Sequence, residues 1–332
     1  MNRAYYVLMT LALLAVISCK KQKEEPKSLA SEGTIEMETP KTYAEISVAQ
    51  GGEWKDRVYE NGTSFKNVDE LWVPKSHTDH SWYIRYEGPG WESNKVGYRL
   101  YLDWRNAIDI YGKVTDSLIL QNVGQDGFDS YHERQSWGQD ILKVGKGLGV
   151  GSLGRYVNGE VLHFNEVDST FAKVTNTVKE SSAEVEYKGW KTDNEKIDLA
   201  STLSIKPDSR VTKHTFAASK AISGICTGIV DHEVDYFTNV NENGQWAYIA
   251  TYGEQTLVPD KLGMAVFYKI DTAEETVQGQ HDHLVVFKST TDPITIYFLG
   301  AWEQEKNGIT NKDAFVSYLD GLLDQLNNSN EL

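Results

Sequence analysis

From about residue 43 onward, apolar and polar positions alternate in short runs broken by turn residues. Such runs are His80 to Glu87, Val96 to Arg105, Glu184 to Tyr187, Asp198 to Ile205, Trp246 to Tyr252, Met264 to Tyr268, His283 to Lys288 and Ile294 to Leu299. Asn61-Gly62, Asn158-Gly159, Pro207-Asp208 and Asn243-Gly244 punctuate them. A period of two bounded by turn residues predicts strands. No long helices alternate with these runs, which argues against a parallel α/β sheet. No linker-like stretch divides the region, so residues 43–332 are read as a single all-β domain, a large antiparallel β-sandwich. One helix is predicted, at the C-terminus. Thr310 or Asn311 caps it, and Phe315, Val316, Leu319, Leu322, Leu323 and Leu326 recur at helical spacing. Its apolar face is expected to cover a sheet edge.

The N-terminal pattern is different. Tyr5 to Ile17 is an almost unbroken apolar run after Arg3, and Val16-Ile17-Ser18-Cys19 closes it in the manner of a bacterial lipobox. The run is shorter than the ~20 residues a spanning helix needs. Residues 1–19 are therefore read as a lipoprotein signal peptide, with Cys19 as the lipid attachment point. Residues 20–42 lack apolar periodicity and read as a solvated tether. The expected location is the outer membrane, on its periplasmic face or at the cell surface. The chain has two cysteines; with Cys19 acylated, Cys226 has no disulfide partner and is read as a buried small hydrophobe.

A formal charge of −15 argues against a nucleic-acid partner, which requires clustered positive charge. It also means that an anionic ligand must be met by local arginines or lysines. Nine tryptophans and 18 tyrosines fit a protein that stacks rings on sugars, although such residues also serve as strand and core residues.

In a strand over Val96 to Arg105, Val96, Tyr98, Leu100, Leu102 and Trp104 share one face. Arg99, Tyr101, Asp103 and Arg105 share the other. Guanidinium forks suit carboxylate and sulfate oxygens, so this face fits an acidic sugar; a ladder of Arg–Asp pairs on a solvated sheet fits equally. Trp91, on the loop Gly88-Pro89-Gly90-Trp91-Glu92-Ser93, is either a sugar platform or a core residue. The polar cluster Tyr131 to Asp140 holds His132, the best single candidate for acid–base work near neutral pH. His77-Thr78-Asp79-His80 and His281-Asp282-His283 approach a metal-ligand pattern, but each needs a third ligand such as His214 or His232.

Gly88 to Ser93, Val96 to Arg99, Tyr101-Leu102-Asp103, Arg105-Asn106-Ala107 and Asp109 to Lys113 form one long motif block. Tyr131-His132, Trp137-Gly138 and Asp140 to Gly145 form a second. Together they resemble a Bacteroidetes family long catalogued as a domain of unknown function, which includes an oligosaccharide dehydratase of ulvan degradation. The resemblance implies a sandwich like that of galactose mutarotases. It also implies loss of water across C4–C5 of a non-reducing-end glucuronic or iduronic acid, leaving a 4,5-unsaturated uronyl group. In that reading Arg99 and Arg105, or a bound divalent cation, offset the carboxylate charge. His132 and Tyr101 move the protons, with His232 as the alternate partner. Trp91, Glu92, Trp137, Asp140 and Lys143 hold the acidic uronic acid–rhamnose oligosaccharide, with or without sulfate. A polysaccharide lyase and a non-catalytic glycan-binding lipoprotein are the competing readings. A closed pocket for one terminal uronate marks a dehydratase, and an open groove marks a lyase.

Overall fold

The computed structural model describes residues 39–127, 130–240 and 244–332. The signal segment, Cys19, nearly all of the tether and Asn243 lie outside the described residues. Thr42, the last residue assigned to the tether, is buried and opens the first strand, Thr42–Gln50.

Two large antiparallel sheets dominate. The first runs in the order Ser64–Val68, Thr42–Gln50, Gly90–Ser93, Val96–Leu100, Ile108–Lys113, Gly138–Asp140. The second has nine strands, in the order Asp235–Val240, Trp246–Glu254, Lys261–Lys269, Ile294–Trp302, Val211–Ala218, Glu195–Ile205, Ser181–Thr192, Ser169–Asn176, Glu70–Trp72. A five-stranded sheet containing Val150–Val157, Ile225–Val230 and Asp282–Phe287 completes the sandwich. The all-β expectation holds. Its alternation is clearest in Ile294–Trp302, where Ile296 and Phe298 enter the main core between the sheets. Tyr297 and Leu299 point the other way, into a second core.

That second core explains the helix α1 (Lys312–Ser329), whose N-cap Asn311 accepts from the Ala314 amide. Phe315, Leu319, Leu323 and Leu326 pack on Trp246, Tyr248, Phe267 and Tyr297. The helix therefore covers a sheet face, not the edge expected for it. Its four apolar anchors find about 1.5–3 kcal/mol each in burial there, which a narrow sheet edge does not offer.

The six-stranded sheet is tied to the nine-stranded one by polar contacts through the core. Trp91 Nε1 donates to Thr212 Oγ1 at 2.9 Å. The Tyr98 hydroxyl donates to Arg210 O at 2.6 Å and accepts from Gly300 N at 3.0 Å.

Candidate functional site

Val96, Tyr98, Leu100 and Leu102 join the main core, as the alternation predicts. The strand itself ends at Leu100. The Asp103 carboxylate then accepts from the Arg105 amide at 2.9 Å and takes its guanidinium Nε at 2.9 and 3.1 Å. Asn106, with φ of 45°, closes the turn by donating to Asp103 O at 3.2 Å. This turn folds Arg105 back over Tyr101, with Cζ 3.8 Å from the ring centroid. It also throws Trp104 outward, 37% exposed, off the core face expected for it.

Arg99 lies under Tyr101 and is 1% exposed. Its Nε and Nη2 donate to Asp109 Oδ2 at 3.0 and 2.6 Å. Nη2 also reaches Asp140 Oδ2 at 2.7 Å and the Tyr101 hydroxyl at 2.8 Å, and Nη1 donates to the Tyr131 hydroxyl at 3.0 Å. A buried guanidinium needs such partners. The expectation that Arg99 clamps a substrate carboxylate is corrected: its donors are already engaged. Tyr101 is likewise buried, and its hydroxyl donates to Asp109 Oδ2 at 2.6 Å. This corrects its role as a proton carrier in contact with substrate. His132 is one-third exposed; its Nε2 lies 3.4 Å from Asp140 Oδ2 and its ring stacks on Tyr131 at 4.5 Å. Burial and neighbouring Asp109 push the Asp140 pKa well up.

The run His80 to Glu87, expected as a strand, is irregular. His80, Trp82, Tyr86 and Glu87 take φ of 56°, 63°, 44° and 72°, in the left-handed region that non-glycine residues rarely occupy. A 3₁₀ turn spans Arg85–Glu87. A Cβ on Gly88 would fall 1.8 Å from Leu100 O, so only glycine lets the run approach so closely. The approach allows Leu102 N to donate to Glu87 O at 3.0 Å and sets the Glu87 carboxylate between the two arginines. Oε1 is 3.0 Å from Arg105 Nη2 and Oε2 is 4.0 Å from Arg99 Nη1. Burial raises the Glu87 pKa, but Arg99 and Arg105 outweigh it and hold the carboxyl down at about 2. Asp79 Oδ1 lies 3.1 Å from Arg105 Nη2 and 2.6 Å from His80 Nδ1. Burial and hydrogen bonding with Glu87 raise its pKa.

Beside this network opens a cleft of about 350 Å³, lined by Tyr59, Phe65, His80, Trp82, Glu87 and Tyr131 among others. Its walls are residues 59–65, 80–87 and 124–127 with Tyr131. Trp82 is 42% exposed and meets the His80 ring edge-on at 5.7 Å.

Several expected contacts fall elsewhere. Trp91 is fully buried as a core tie, so it is no platform. Glu92 is fully buried against Lys113 at 2.6 Å and accepts from the Ile119 and Leu120 amides; it anchors a loop and cannot reach a ligand. Trp137 is half-buried against Tyr111, with ring centroids 5.9 Å apart. Asp140 belongs to the buried network. Lys143 and His232 line a different cleft of about 340 Å³ with His281, and no residue lines both clefts. His232 therefore lies outside the cleft beside the Arg99 network, and its pairing with His132 is not part of either cleft. His214 is no metal ligand: it is buried between Ser201 Oγ at 2.6 Å and Gly151 O at 2.9 Å, and burial lowers its pKa to about 4. Cys226 is buried in Ile225–Val230, as expected.

Glu87, Tyr131 and Trp82 were not singled out as site residues by sequence, whereas Asp79 and His80 belonged to the His77-Thr78-Asp79-His80 group read as approaching a metal-ligand pattern. The available signals were Glu87 directly before Gly88-Pro89-Gly90 and Tyr131 directly before His132.

Taken with these two motif-bearing regions, the decisive comparison is a family model described as a domain of unknown function, DUF4861, which matches residues 12–331. The chain belongs to this family. The match spans the whole described fold, from the first strand to the end of α1, so both clefts are built from family sequence. No curated protein matches the chain.

Proposed function

We propose that the protein is a hydro-lyase that removes water across C4–C5 of a terminal uronic acid, working in the cleft at Glu87, Tyr131 and His80. The observation that carries this reading is the network that reaches the cleft through Glu87 and Tyr131. Two arginines, five carboxylates and two phenols meet there in one buried network. Aromatic walls suited to a sugar ring stand over it. A volume of about 350 Å³ lies at the small end of ligand sites. That favours one chain end over an internal stretch of polymer, and hence dehydration over chain cleavage.

The chemistry assigns roles. Abstracting H5 requires a base, and charge then builds on the carboxylate-stabilised C5 carbanion. The C4 hydroxyl must leave protonated, so one water departs and a C4–C5 double bond forms. Tyr131 lines the cleft and accepts a hydrogen bond from Arg99; burial raises its pKa overall, and the guanidinium is the group that pulls it back toward the phenolate. It is the better base than Tyr101, whose proton is held by Asp109. His132, stacked on Tyr131 and backed by Asp140, returns the proton to the leaving hydroxyl. Trp82 replaces Trp91 as the stacking surface. Arg99 acts as a positioning residue for Tyr131, and Arg105 presents the positive field at the cleft edge.

The test uses residues 20–332 with saturated uronyl-rhamnose sulfate oligosaccharides, following conjugated-uronate absorbance and product mass. Loss of one water without chain shortening is expected. Tyr131→Phe should lower the rate by about 10²–10⁴-fold while leaving oligosaccharide affinity nearly intact. Shorter products would identify a lyase. Binding with no reaction would make the protein a glycan receptor.

A further inference from the structure

We propose that Asp79, His80 and Glu87 bind a divalent metal ion of the manganese or zinc type at the mouth of the cleft. For its role the inference rests on the reading above; for its existence it does not.

An imidazole nitrogen of His80, a carboxylate oxygen of Asp79 and one of Glu87 all lie within 4.8 Å of one another. Ligand atoms sharing one ion sit about 3 Å apart when metal–ligand bonds are about 2.1 Å, and His80 Nδ1 and Asp79 Oδ1 are 2.6 Å apart. The two groups stand at ion-pair distance. Asp79 Oδ1 is shielded from solvent and receives no well-aligned hydrogen bond, although Arg105 Nη2 at 3.1 Å and His80 Nδ1 at 2.6 Å are both close. A shielded carboxylate oxygen without a well-aligned partner is costly and uncommon. An ion in front of it supplies the missing partner.

Charge points the same way. Asp103 takes the Arg105 guanidinium through both oxygens, and Arg99 is shared by Asp109 and Asp140. Asp79 meets only the remaining side of Arg105, and Glu87 shares that side and has Arg99 4.0 Å away, so the two carboxylates crowd together beside the cleft that Glu87 lines. A uronate carboxylate entering such a site meets like charge unless a cation stands between. Arg105 remains compatible with the ion, because each carboxylate offers lone pairs for both an outer hydrogen-bond partner and a metal. One imidazole with two carboxylates favours manganese or zinc over calcium, which prefers an all-oxygen shell. Two of the three ligands, His80 and Glu87, hold left-handed backbone, a conformation that aims both side chains from one short run.

The experiment is calorimetric titration of chelator-stripped residues 20–332 with manganese chloride or zinc chloride, without sugar. One equivalent should bind, and the melting temperature should rise with metal concentration. His80→Ala and Asp79→Asn, both at partly exposed positions, should fold normally and weaken binding by about tenfold or more. No saturable binding by the wild type would overturn the proposal. Wild-type affinity in both variants would also overturn it. Binding is read in the absence of substrate, so a metal site in a protein that performs no dehydration would sink only the catalytic reading.

Discussion

Glu92 offers a sharp separation between a structural and a substrate-binding role. It and Lys113 are both fully buried, with Nζ 2.6 Å from Oε2. Glu92 also accepts from Ile119 N at 2.7 Å and Leu120 N at 2.9 Å, and Lys113 donates to Ser93 O at 2.7 Å. Glu92→Gln keeps an acceptor for the loop amides but leaves Lys113 buried opposite a neutral group. Breaking one side of a buried pair costs about 3–5 kcal/mol, which lowers the melting temperature by on the order of 10 °C in a domain of this size. Lys113→Met should cost a similar amount by stranding the carboxylate. The double variant should be more stable than the two single costs predict, with a coupling of about 1–3 kcal/mol. Urea unfolding followed by tryptophan fluorescence measures all four proteins, and an unchanged denaturant slope licenses the comparison. A Glu92→Gln protein with wild-type stability but lost oligosaccharide affinity would refute the reasoning and return Glu92 to the binding site.

Two tryptophans should behave in opposite ways. Trp91→Ala removes a core side chain and its bond to Thr212 and should cost about 3–5 kcal/mol in urea unfolding. Trp82→Ala, at a 42% exposed position, should leave stability within about 0.5 kcal/mol and weaken sugar binding. The reverse pattern in calorimetry would overturn the exchange of roles. The acid limb of stability should report Glu87. Its folded pKa, about 2, lies below the ordinary 4.5, so its contribution is complete above about pH 4.5 and is lost as pH falls toward 2. Asp79, whose pKa is raised, works with the opposite sign, so the measured slope belongs to the pair. Glu87→Gln should flatten that limb in an acid titration followed by circular dichroism, and a parallel limb would contradict the placement of Glu87 between the arginines.

Much of the architecture was legible in local patterning. Period-two runs such as Trp246 to Tyr252 and Ile294 to Leu299 sit within strands Trp246–Glu254 and Ile294–Trp302, because alternation and a pleated backbone share one period. The helix was readable from its cap and stripe, since both are set within a few residues. Its partner was not, because a stripe states that a face is buried without naming what buries it. The grouping of Arg99, Tyr101 and Arg105 was also foreseen, though for an incomplete reason. The expected strand ends at Leu100, and a turn at Asp103 returns Arg105 to Tyr101.

The amino-acid order alone determined the β-rich fold, the C-terminal helix and the neighbourhood of chemistry around residues 99–105 and 131–140. Only the tertiary structure decided which of those groups are spent on one another and which face a cleft. Burial and pairing arise from contacts between distant segments: Glu87 reaches Arg99 because Gly88 passes close to Leu100, and Trp91 is withdrawn by Thr212, 121 residues away. Such long-range contacts leave no period in the chain, so residue type pointed to the site and packing chose its members.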